Sequence, residues 1–133
     1  MFVTPLYAGI LVLWFVVLSL RVMNIRGRGV SFGDAGDPAI TRVVRAQANF
    51  AEYVPIAILM MGFLEVDHYS IYWLHVLGIA LVVARILHGL ALSFAWQPRV
   101  GRIAGAGLTV AVLVVLAVQC IYTGIKGQAL WLG

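Results

Sequence analysis

From Phe2 to Leu20, and again from Ile103 to Ile125, the chain carries no charged side chain. Uninterrupted apolar runs of that length have few folded solutions in water. A helix needs about 20 residues to cross a hydrocarbon layer of roughly 30 Å, and four segments meet that length: 2–23, 39–64, 70–96 and 102–125. Composition agrees. Of 133 residues, 63% are hydrophobic and 11% charged, and the mean hydropathy is +1.03. One small soluble core could not hide so much apolar surface, so the solvent is largely lipid.

Helix-breaking signals fall between the four segments. Gly27 and Gly29 follow the first; GDAGDP then supplies a polar turn with Asp34 and Asp37, in which Asp37 is placed to cap the second helix and Pro38 to occupy its first position. EVDHYS separates the second from the third, and QPRVGR the third from the fourth. The expected fold is an all-α integral membrane protein, a four-transmembrane-helix bundle forming one domain over residues 1–133. The first segment lacks a basic region before it and a small-x-small cleavage site after it, so it reads as a retained span. Cys120, the single cysteine, cannot form an intrachain disulfide and reads as a packing residue. Gly101 and Gly105 form a GxxxG spacing suited to a close helix contact, and Trp14 and Trp131 read as interfacial anchors.

Charge placement suggests an orientation. Arg21, Arg26, Arg28, Arg42 and Arg45 gather around the first connection and Arg99 and Arg102 around the third, whereas the other side holds Glu65, Asp67 and Lys126. The positive-inside rule then puts both termini outside and the arginines at the cytoplasmic face. With the arginines flanking spans and no soluble basic domain to carry them, nucleic acid is not an expected partner. Short connections suggest a bacterial inner membrane.

Against this background the stretch TRVVRAQANFAEYVP, residues 41–55, stands out. At about 100° per residue, Arg42, Arg45, Asn49 and Glu52 share an arc of about 80°, with Tyr53 beside it, while Gln47 points elsewhere. An Arg or Asp facing lipid at a helix centre costs roughly 2.5–3.5 kcal/mol on insertion scales. The stripe therefore faces protein, water or a ligand. Pairing of Arg45 with Glu52 would satisfy it without a ligand, but packing in lipid needs small residues and few polar contacts, not a row of them. Arg42, near the helix start, can snorkel. The third segment offers a partner stripe in Arg85, His88, Leu92, Trp96 and Arg99, interrupted by Pro98 before its last member.

Arginine forks match carboxylates and phosphates, and Glu52 adds a preference for an amine. A small zwitterion with extra negative charge fits both demands, whether peptide or nucleotide. No glycine-rich phosphate loop, HExxH or cysteine cluster is present, so no metal site is expected.

RVVRAQANFAEYVP resembles the second-helix signature of the membrane-associated proteins in eicosanoid and glutathione metabolism, specifically that of the microsomal glutathione transferases and leukotriene-C synthase. The match lies in arginine, two residues, Arg-Ala-Gln, then Asn, then Glu-Tyr and a proline. Length, span number and loop placement are similar over the whole chain. The resemblance implies a homotrimer with glutathione, as co-substrate, held between neighbouring subunits near the cytoplasmic face. It implies that Arg45, Asn49, Glu52 and Tyr53 line the glutathione site, with Arg85 and His88 of the third span beside it, and that Gln47 reaches the ligand held mainly by the adjacent subunit. SLRVMNIR resembles the end of the family's first helix, implying that Arg26 contacts a glutathione carboxylate. Counting from Ala84-Arg85, which match the third helix, Arg99 falls where synthase-like members place the thiol-activating arginine. The implied activity is attack by a glutathione thiolate on a lipophilic electrophile from the bilayer, or reduction of a hydroperoxide.

The chain departs from the synthase-like pattern at His88 and Leu92, where those members carry tyrosines. A non-catalytic lipid- or thiol-binding scaffold of the same fold is thus the alternative. A small multidrug transporter would carry a carboxylate in its first span, and this first span has none.

Overall fold

The structure, a computed structural model, describes residues 2–27, 29 and 36–132. Arg28 and Asp34 lie outside the described residues. Four helices follow one another: α1 (Thr4–Arg26), α2 (Pro38–Val66), α3 (Ile71–Ser93) and α4 (Pro98–Leu132). All four are long and apolar enough to cross a membrane. Thr4, Tyr7, Leu11 and Leu18 form a narrow buried seam along α1, while Leu6, Val12, Leu13, Val16 and Leu20 are exposed. Only a lipid solvent makes that distribution economical.

α2 begins as its sequence suggests. Asp37 Oδ1 accepts a hydrogen bond from Ala39 N at 2.7 Å, and Pro38 takes the first helical position, where its missing N–H costs nothing. α3 ends differently from expectation, at Ser93 rather than near residue 96. Phe94 N and Trp96 N both return to Leu90 O, while Ala95 (φ 54°) and Gln97 (φ 43°) adopt left-handed backbone. A left-handed residue past the last turn closes a helix by satisfying its orphan carbonyls, so the reversal precedes Pro98, which opens α4 instead. Arg99 consequently lies in the first turn of α4, not on the face of α3 that carries Arg85 and His88.

α2 and α3 each pack on all three other helices, α3 the more extensively through its contact with α4; α1 and α4 do not touch among the described residues. Glycines admit the closest approaches. The Tyr7 ring lies over Gly78, and the Trp14 ring lies where a Gly89 side chain would be. The GxxxG pair of α4 meets α3 as expected: a Cβ on Gly105 would stand 2.7 Å from both Ala84 O and His88 N, and one on Gly101 2.9 Å from Ala91 Cβ. Trp14, expected at the interface, is instead half-buried, and its Nε1 donates to Arg85 O at 3.1 Å. The side chain of Trp131 lies outside the described residues.

The alternation of helix direction gathers Arg26, Arg42, Arg99 and Arg102 at one end and Glu65, Asp67 and Lys126 at the other. Glu65 has a structural task there. Its carboxylate accepts hydrogen bonds from Val3 N and from Thr4 N, the latter at 3.0 Å, so α2 caps the N-terminus of α1.

Gly105→Ala should lower the thermal midpoint in detergent, because its new methyl meets backbone rather than a movable side chain; overpacking of this kind costs about 1–3 kcal/mol. Gly124→Ala, which meets nothing within 4 Å, should leave the midpoint unchanged or slightly raised.

Candidate functional site

The polar groups in the bundle converge on Arg85. It is 1% exposed, in the middle region of α3. Its Nη2 donates to Asn49 Oδ1 of α2 at 3.1 Å and its Nη1 to Thr109 Oγ1 of α4 at 3.4 Å, and its guanidinium lies 5.4 Å from the centroid of the Phe50 ring. The Thr109 hydroxyl in turn donates to Gly105 O at 2.7 Å, which aims its lone pairs at the arginine. Arg85 is thus gripped through both main chain and side chain, since Trp14 takes its carbonyl.

These contacts leave the cation incompletely satisfied. A guanidinium has five N–H donors; here Nε is buried without a partner, and the acceptors reached are a neutral amide and a neutral hydroxyl. Among the described residues no carboxylate pairs with Arg85. The group lines a crevice of about 50 Å³ with Asn49, Tyr53, Ala106, Thr109 and Val110, between α2 and α4. That is space for a carboxylate-sized group, not for a tripeptide.

The expected site residues divide into three sets. Asn49, Tyr53 and Arg85 are brought together at the crevice. Arg45 and Glu52 continue the same edge of α2 outward; both are exposed, and neither makes a hydrogen bond or ion pair within the chain among the described residues. The self-pairing of Arg45 with Glu52 is therefore not what holds them. Gln47 is half-buried and stands about 160° around α2 from Asn49. The third set is not at the crevice. His88 is 4% exposed and turned into the contact with α4 at Gly105, with Nδ1 unpartnered. Arg26, in the last turn of α1, and Arg99, in the first turn of α4, are exposed at the arginine-rich end.

Thr109 is the participant that reading the sequence missed. Its signal was faint: a hydroxyl in an uncharged run, four residues after Gly105. Among the described residues no three His, Cys, Asp or Glu side chains gather to hold a metal ion. A second, wholly apolar groove of about 410 Å³ runs between α1 and α2, with Leu11, Phe15, Phe50, Val54 and Ile58 in its walls.

The chain matches the MAPEG family over residues 4–122. It is similar to the inner membrane protein YecN of Escherichia coli (strain K12), with 33% identity over 87 residues, 65% of this chain and 66% of that protein. YecN of Escherichia coli O6:H1 (strain CFT073) matches to the same extent. The aligned stretch thus covers just under two thirds of these relatives' length. No solved structure matches the chain.

Removing one acceptor from Arg85 should cost more than removing the cation itself. Asn49→Leu should lower unfolding stability in detergent by about 1–3 kcal/mol, and Thr109→Val, at the longer contact, by about 1 kcal/mol. Arg85→Met should be close to neutral, because a buried charge replaced by an apolar group of similar volume sheds its desolvation penalty. Thermal unfolding of the three variants in one detergent gives the order directly.

Proposed function

The chain belongs to the MAPEG family, which includes glutathione transferases among other members, and from that premise we propose that it is a membrane-bound glutathione transferase. The observation that carries this reading is the buried guanidinium of Arg85, met only by neutral groups, at the inner end of an edge of α2 whose outer members, Arg45 and Glu52, are unpaired on the protomer surface. Charged groups in that position cannot be left to lipid. A ligand with two carboxylates and an amine would answer Arg85, Arg45 and Glu52 together, and glutathione has all three groups.

The same geometry supports assembly. Gln47 and the Arg45–Asn49–Glu52 edge stand on opposite sides of α2, so a ligand lying between two copies would meet one edge from each. In the proposed homotrimer, Arg45, Asn49, Glu52, Tyr53 and Arg85 of one copy hold the peptide, Gln47 reaches it from the next, and Arg26 takes a carboxylate at the arginine-rich end. His88, packed against α4, serves the bundle rather than the ligand. Arg99 is the thiol-activating group. A thiol of reference pKa about 8.5 is mostly protonated at neutral pH, and a cation that lowered it by about two units would supply about 2.7 kcal/mol toward the thiolate.

The thiol proton passes to solvent, and the sulfur lone pair forms the new C–S bond with a lipophilic electrophile as its leaving group departs. With a lipid hydroperoxide, the thiolate attacks the terminal oxygen instead, and a second glutathione completes reduction to alcohol, water and disulfide. The apolar groove between α1 and α2 suits a partner arriving from the bilayer. The proposed location is a bacterial inner membrane, in keeping with the description of YecN, with both termini outside and the arginine-rich end in the cytoplasm.

A non-catalytic lipid- or thiol-binding scaffold is the competing reading, favoured by His88 and Leu92 in place of two tyrosines. Glutathione titrated against the detergent-solubilised protein separates the two. The enzyme should show saturable binding, weakened about tenfold or more in Arg45→Ala or Glu52→Gln, together with an ultraviolet thiolate absorbance that disappears in Arg99→Ala while binding persists. Saturable binding with no thiolate in the wild type would favour the scaffold, and no saturable binding would remove glutathione from the account.

A further inference from the structure

A second polar cavity, distinct from the Arg85 crevice, lies at the arginine-rich end between the last turns of α1 and α3 and the first turns of α2, with a volume of about 470 Å³. Arg21 dominates it. Its Nη2 donates to Ser93 O at 2.9 Å, and its guanidinium lies 4.6 Å from the centroid of the Phe94 ring. So fastened, Arg21 cannot snorkel to bulk water in the way a free arginine near a helix end does. Yet its Nε is buried without a partner. Beside it Ser93, 4% exposed, has a hydroxyl that also lacks a partner. Two unsatisfied buried donors thus belong to residues of one cavity wall, and such groups ask for an acceptor.

The remaining lining decides what kind of acceptor. Arg42 adds a second cation, exposed and unbonded within the described chain. Asp37 is the one carboxylate among the lining residues, and its Oδ1 is engaged with Ala39 N at the start of α2. The helix N-terminus is thereby already capped and contributes no free donor to the argument. Ile25, Ile40 and Leu92 give the rest of the wall an apolar character. Two forked cations and a hydroxyl suit a phosphate, and apolar walls at the ends of three membrane helices suit the first carbons of an acyl chain.

We propose that this cavity binds the phosphate of an anionic membrane lipid, held by Arg21, Arg42 and Ser93. Depth supports a lipid over a free ion: Arg21 lies five residues inside the end of α1, about 7.5 Å along the axis of a helix long and apolar enough to span a membrane. Basic pockets between helices on the cytoplasmic side are where acidic headgroups are recognised, and the positive-inside rule assigns this end to that side. The proposal does not rest on the glutathione reading, because no residue of the peptide site lines this cavity.

The test is a thermal-unfolding titration of the detergent-solubilised full chain with three probes: a short-chain phosphatidylglycerol, the matching phosphatidylcholine, and inorganic phosphate. A lipid that binds only the folded state raises the midpoint saturably. Phosphatidylglycerol should do so, with apparent affinity about tenfold weaker in Arg21→Gln and several-fold weaker in Ser93→Ala. The other two probes should give no saturable rise. Ser93→Ala and Arg42→Gln keep the test decisive should Arg21→Gln fail to fold. A response to phosphatidylglycerol that is unchanged in all variants overturns the site. An equal response to inorganic phosphate overturns the lipid assignment, and an equal response to phosphatidylcholine overturns the preference for an anionic headgroup.

Discussion

A guanidinium buried in the middle of a membrane helix, with a neutral amide and a neutral hydroxyl as its partners, sets the terms for the rest of this protein. Arg85 has almost no surface open to bulk water where it stands, and it cannot shed its charge, since arginine stays protonated. Other groups must therefore come to it. Asn49 descends from α2, Thr109 from α4, and Phe50 offers its ring. Each of these helices carries a polar group at a depth where apolar side chains would pack more cheaply. The polar stripe of α2 and the Thr109 hydroxyl of α4 have one physical reason between them.

Bringing three helices to one cation requires close backbones, and the small residues lie where that closeness is greatest. Gly105 lets α4 approach Ala84 and His88, the turns on either side of Arg85, and is itself the acceptor that orients Thr109. On the opposite face of α3, Gly89 leaves room for the Trp14 ring, whose Nε1 reaches Arg85 O. The central position of α3 is thus both a packing fact and an electrostatic one. In lipid, where burial of apolar surface gives little net drive between helices, such polar contacts and tight van der Waals fits are what define the bundle.

How much of this was legible depended on whether the signal was local. The number of spans, the Asp37 cap, Pro38 at the first helical position and the GxxxG contact all follow from residues adjacent in sequence, and the structure agrees with each. The convergence of Asn49 and Tyr53 with Arg85 was legible as two polar faces, because periodicity reports which residues share a side. What periodicity cannot report is where a helix stops under a tertiary constraint. The face from Arg85 to Arg99 looked continuous, but left-handed backbone at Ala95 closed α3 first and moved Arg99 to another helix. Nor can it report contacts between distant segments. Glu65 read as one more external charge and proved to cap α1, Trp14 read as an interfacial anchor and proved to hold the main chain at Arg85, and Arg21 read as one positive charge among several and proved to be fastened over Phe94.

The outward edge of α2 carries the argument beyond one protomer. Within the chain, α4 covers the inner part of the stripe at Asn49 and Tyr53, but Arg45 and Glu52 have no intramolecular answer among the described residues. Lipid cannot supply one at acceptable cost, and water alone would leave the charge of Arg85 uncompensated behind them. A neighbouring copy alone would repeat the same excess of arginine over carboxylate. In the assembly we propose, an anion entering between copies would offset the cationic excess while sparing the carboxylate of Glu52 for an amine. On that proposal the surface chemistry of this helix and the buried arginine behind it make the same demand, which a small peptide with two carboxylates and one amine would meet at both depths.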